Sequence, residues 1–64
     1  MGLVYSSKQL KKLIEADGWF LVEKKGSHAQ FKHAVKPGRV TIPHPKKDIA
    51  LGTAINILRQ AGLR

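Results

Sequence analysis

Apolar and polar residues follow two rhythms along this chain. From Ser7 to Asp17, Leu10, Leu13 and Ile14, with Ala16 behind them, recur at helical spacing and predict one helix. Ser6 with Gln9 three residues on forms a capping-box pattern at its start (Ser7 is the other candidate cap), and Gly18 supplies a stop. Trp19 to Lys25 is rich in aromatic and β-branched residues and reads as a strand with Phe20 and Val22 on one face. Lys25-Gly26-Ser27 is a turn. His28 to His33 is a second strand, with Phe31 toward the core and His28, Gln30 and Lys32 pointing the other way. Val35-Lys36-Pro37-Gly38 turns the chain into a third short strand, Arg39 to Ile42. Pro43-His44-Pro45 must run extended, because each proline biases the residue before it away from the α region. Lys46 to Leu51 fits neither rhythm, although Asp48 would suit a turn. Gly52 should break any long helix, so a second helix is expected from a Thr53 cap, carried by Ile55, Leu58 and Ala61 and stopped at Gly62.

The order α-β-β-β-α implies an α+β fold: a three-stranded antiparallel sheet with both helices on one face. The other face stays open, and His28, Gln30 and Lys32 look out from it. Residues 1–64 form a single domain, since a chain of 64 residues cannot divide into two cores. There is no cysteine, so a disulfide framework and thiolate chemistry are excluded, which suits a reducing cytoplasm. No apolar run approaches the roughly 18 residues a membrane helix needs, and none resembles a signal-peptide core. Met1-Gly2-Leu3-Val4-Tyr5-Ser6 matches the short N-myristoylation pattern, a weak signal that carries no weight here.

Charge changes the picture most. Twelve Lys and Arg against four Asp and Glu give a formal net charge of +8 at pH 7. So small a chain with such an excess points to a polyanionic partner, with nucleic acid first, an acidic protein second and a membrane surface last. The first helix carries Lys8, Lys11 and Lys12 early and Glu15 and Asp17 late, against its dipole. A solvated face with a Lys11–Glu15 pair is the simpler reading; a cationic end kept free for phosphate is the sharper one.

Three histidines offer chemistry. His28 and His33 lie five apart on one strand, on opposite faces, and with no cysteine and few carboxylates a metal shell is not expected. Ser27 and His28 are strand neighbours that diverge, and no triad carboxylate stands out. A single imidazole as general acid or base remains, because its ordinary pKa of about 6.5 lets it take and give a proton near neutrality. RNA brings its own nucleophile, the 2′-hydroxyl. Lys24 and Lys25 before the first turn, and Lys46 and Lys47 after the proline-histidine segment, supply cations. Gly26 and Ser27 could offer N–H groups to a phosphate, or simply make a hairpin turn. On residue type alone His28 reads as an exposed strand residue, and Trp19 and Tyr5 read as core rather than base-stacking platforms.

A resemblance sharpens this. Ile14-Glu15-Ala16-Asp17-Gly18-Trp19, Gly26-Ser27-His28, Phe31-Lys32-His33, Val40-Thr41-Ile42-Pro43-His44-Pro45, Gly52-Thr53 and Ile57-Leu58-Arg59-Gln60-Ala61-Gly62 resemble the HicA family of bacterial toxins, in one order across nearly the whole chain. The resemblance implies a fold like the double-stranded-RNA-binding domain. It also implies a ribonuclease that cuts mRNA without metal or other cofactor, blocks translation, and is held inactive by a HicB-type antitoxin in the bacterial cytoplasm. DNA would be met only through the antitoxin complex. The family's catalytic histidine falls on His28, with a supporting role left to His44. Ala29 departs from the pattern, since family members often carry a second histidine or another large polar residue there. If position 29 holds the essential imidazole, this chain keeps the fold without the activity. A non-catalytic module that holds double-stranded RNA is the alternative; such modules span about 16 base pairs, a long reach for this chain.

Overall fold

A computed structural model describes residues 4–64 of the chain. Met1, Gly2 and Leu3, half of the myristoylation pattern, lie outside them. The elements run β1 (Val4–Tyr5), α1 (Ser7–Ala16), β2 (Trp19–Lys25), β3 (His28–His33), β4 (Val40–Pro43), β5 (Ile49–Ala50) and α2 (Leu51–Gln60). The central meander is antiparallel in the order β2-β3-β4, and β1 pairs with β5 in a separate two-stranded sheet. No helix among the described residues is long and apolar enough to cross a membrane.

α1 starts as its capping box dictates. Gln9 N–H donates to Ser6 Oγ at 3.1 Å, and Ser6 N–H donates to Gln9 Oε1 at 2.9 Å. Two N–H groups that the helix cannot satisfy internally are thereby closed. The buried stripe is Ser7, Leu10 and Ile14, whereas Leu13 stays 45% exposed. Ser7 is a polar member of that stripe. Its Oγ donates to the Lys46 carbonyl at 3.1 Å and accepts the Lys46 N–H at 3.0 Å, clasping α1 to the chain entering β5. Gly18 ends the helix at φ 105°, where a Cβ would sit 2.8 Å from His33 Nε2.

β3 alternates as its sequence predicts: Ala29 and Phe31 are buried, and His28 and Lys32 are exposed. β2 does not. Its register slips between Leu21 and Glu23, a bulge that breaks the alternation expected to put Phe20 and Val22 on one face. Trp19, 2% exposed, is its core residue, while Phe20, Leu21 and Val22 are each nearly half exposed. β4 is shifted one residue from the expected Arg39 to Ile42, and Arg39 instead reaches Gln30 Oε1 at 3.4 Å.

The second helix differs more. It begins at Leu51, with no side-chain cap at Ala50, and Gly52 and Thr53 lie within its first turn. A glycine there costs at most about 1 kcal/mol of propensity, less than burial of Ala54, Ile57, Leu58 and Ala61 returns. Those four set the true stripe, and Ile55 is only half buried. Lys46 to Leu51 contains β5, which places Ile49 in the core at 1% exposure.

Both helices pack on one side of the meander around Leu10, Ile14, Trp19, Phe31, Val40, Ile42 and Ile49. At the α1-to-β2 end a polar lock closes the core. Trp19 Nε1 donates to the Ala61 carbonyl at 3.2 Å, and Lys36 Nζ donates to the same oxygen at 3.0 Å while pairing with Asp17. His33 Nδ1 accepts the Val35 and Lys36 N–H groups, each at 3.0 Å, and its Nε2 lies 2.7 Å from the Asp17 carbonyl. A neutral ring protonated at Nε2 satisfies all three contacts, so His33 is a fully engaged structural residue.

Candidate functional site

The β2–β3 hairpin builds the opposite end of the sheet. Gly26, at φ 57°, takes the left-handed backbone that the tight connection requires, and Lys25 then pairs directly with His28. His28 also pairs with Pro43 of β4, and the His44 N–H donates to the Ser27 carbonyl at 2.7 Å. Gly26-Ser27-His28 and Pro43-His44, far apart in sequence, are therefore stitched into one corner.

Register then assigns sides. Directly paired residues share a face, so Lys25, His28 and Pro43 lie together on the open side. Lys24, Ala29 and Ile42 lie together on the helix side. His28 is exposed, with the Lys25 Cβ about 4.5–5.5 Å from its own, as for any direct cross-strand pair. On the helix side a hollow of about 170 Å³ opens, lined by Lys11, Leu21, Lys24, Ala29, Phe31 and His44. His44 is among the lining residues, and its Nδ1 atom is buried without a hydrogen-bond partner.

The cations and histidines expected to act together thus divide. Lys25, Gly26, Ser27 and His28 crown the hairpin on the open face, whereas Lys24, Ala29 and His44 belong to the hollow. Lys46 and Lys47 are exposed, and the Ser7 clasp holds the Lys46 backbone beside the start of α1. Lys11 joins the hollow rather than pairing with Glu15; among the described residues the acidic partners in ion pairs are Asp17 and Glu23. Its only sequence signal is the run of lysines set against the helix dipole. Trp19 is core, and Tyr5 packs against the core. Among the described residues no three histidines or carboxylates gather as metal ligands.

An exposed imidazole beside a lysine, at a glycine turn, can exchange a proton while cations hold an anion. One titration is shifted by the fold, and it lies at the far end. The Lys36 hydrogen bond holds the Asp17 carboxyl below its ordinary 3.8, against the opposing effect of partial desolvation and with the help of the Lys36 charge.

The model of the HicA toxin of bacterial toxin–antitoxin systems matches residues 7–63. The chain belongs to the HicA toxin family. It is similar to a chain of a toxin–antitoxin complex from Streptococcus pneumoniae, with 30% sequence identity, 91% of this chain and 97% of that chain covered, and a TM-score of 0.76. No match is found among curated proteins. The HicA meander with two helices on one face is the arrangement of the double-stranded-RNA-binding domain. In this HicA chain Ala29 is 4% exposed and faces the hollow, so a residue at 29 points to the opposite side of the sheet from His28.

Proposed function

We propose that this toxin is a metal-independent endoribonuclease that cuts mRNA and so stops translation, with His28 as its catalytic imidazole. The observation that carries the reading is the exposed His28 ring paired with Lys25 at the Gly26-Ser27 turn, in a chain of net charge +8. His28 removes the proton of a ribose 2′-hydroxyl, and the freed oxygen attacks the adjacent phosphorus. The bond to the 5′-oxygen breaks, and that oxygen leaves with a proton from water, while the His28 imidazolium returns its own proton to solvent. His44, which lines the hollow on the other side of the sheet, keeps a supporting role through its backbone N–H bond to the Ser27 carbonyl. Lys25 and the N–H groups of Gly26 and Ser27 neutralise the pentacoordinate phosphate, while Lys24, Lys46 and Lys47 hold flanking phosphates. The products carry a 2′,3′-cyclic phosphate and a 5′-hydroxyl.

A HicB-type antitoxin with an acidic surface would cover the basic corner and shut His28 away from RNA. The toxin–antitoxin complex similar to this chain, together with charge complementarity, supports that partner. The test is incubation of the pure protein with mRNA in EDTA, followed by end-group analysis. Cyclic-phosphate ends formed without metal are expected. Strict dependence on Mg²⁺ rejects the mechanism, and salt-sensitive binding with no cut at any protein concentration assigns the chain to non-catalytic RNA binding instead.

A further inference from the structure

The hollow between α1 and the sheet takes no part in the proton transfer proposed for the open face, and of its lining only Lys24 is assigned a phosphate there. Its floor is apolar: Leu21, Ala29 and Phe31. Its cations, Lys11 and Lys24, come from two different elements, and the His44 side chain lines it as well. A bare phosphate on that floor would lose its hydration to Leu and Phe side chains without compensation. A planar ring with polar edges and a phosphate on each side has no such conflict. It lays its face on apolar atoms, its edge meets an imidazole, and its phosphates meet the lysines.

We infer that the hollow lined by Lys11, Leu21, Lys24, Ala29, Phe31 and His44 binds one unpaired nucleobase of a single-stranded RNA substrate, next to the phosphodiester cut at His28. The hollow, about 170 Å³, is of the size that holds a single aromatic ring. The lysines and the chain's charge of +8 select a polyanion over an apolar peptide. Because His28 and Ala29 are consecutive residues on opposite faces of β3, RNA rounding the hairpin end would present its scissile phosphate to one side and a splayed base to the other. Small side chains at position 29 leave the hollow open, and large ones fill it. Position 29 therefore sets how strongly the enzyme depends on that base. The inference rests on the proposed ribonuclease activity.

The test uses the intact chain and a single-stranded RNA whose cut position has been mapped, with one abasic nucleotide moved stepwise through the sites flanking the cut. We expect a loss of about tenfold in kcat/KM at one position and little change elsewhere. In Ala29→Leu the same walk should be flat, and Leu21→Trp, which closes the hollow from an exposed strand residue, should repeat that result if Ala29→Leu melts early. A flat walk in the unaltered protein, with cutting intact, overturns the base site while leaving the ribonuclease reading in place. A walk unchanged by both filling variants overturns the location. Loss of antitoxin binding in those variants with the RNA profile retained gives the hollow to the protein partner and overturns the inference. Absence of any cutting of unmodified RNA removes the ribonuclease reading itself, and this inference with it.

Discussion

Gly18 shows how one residue joins two constraints. Its backbone at φ 105° is strained for any other L-residue, and the His33 ring occupies the space a Cβ would need. Gly18→Ala should therefore destabilise by about 1–3 kcal/mol, lowering Tm by roughly 5–20 °C in a domain this small. A thermal melt checks it, and a shift under 2 °C would show that the His33 lock is looser than described. Next to it, Asp17 predicts an acid limb. A carboxyl held below 3.8 in the folded state adds stability above that pH and surrenders it as pH falls through the lower folded value. Lys36→Met removes the main cause, so its stability should be lower than the parent's near neutrality and converge on it as pH falls through the lowered folded value of Asp17, apart from any change in packing. Denaturant unfolding across pH 2–7 reads the convergence.

Among the elements, the clasp between α1 and Lys46 is the least visible in sequence and among the most consequential. Ser7 is 3% exposed, and Ser7→Ala leaves the Lys46 N–H without its side-chain partner. The expected cost is about 0.5–1.5 kcal/mol for each of the two hydrogen bonds lost with the hydroxyl, measured as a shift of the urea midpoint with unchanged slope. β3 was readable because six residues suffice to show a period of two, and α1 because Ser6 and Gln9 announce its start. β1 and β5 have two residues each and display no period, so Ile49 could not be recognised as core. The start of α2 was misplaced because Gly52 carries a breaker's signature, yet its cost is only about 1 kcal/mol of backbone entropy, which the buried stripe outweighs. The bulge in β2 has no glycine or proline to betray it.

Over the whole molecule, the corner holding His28 was legible from Gly26-Ser27-His28 and its lysines, but its sidedness was not. Which lysine faces which histidine depends on the pairings Lys25 with His28 and Lys24 with Ala29, and those follow from turn length rather than from residue type. The same sidedness makes a prediction about binding. RNA affinity should fall steeply with salt, and Lys25→Ala should reduce the slope of log K against log[salt] by about 0.7, one single-strand phosphate contact. Fluorescence anisotropy at four salt concentrations measures it; an unchanged slope would remove Lys25 from the phosphate path.

The central claim is that the His28 imidazole moves the proton. Single-turnover cleavage of mRNA in EDTA by the parent and by His28→Ala, both confirmed folded by the Trp19 signal, tests it directly. The account predicts a loss of about 10²–10⁴-fold in rate for His28→Ala, the usual worth of a general acid or base, with RNA affinity nearly unchanged. Equal rates for the two proteins would contradict it.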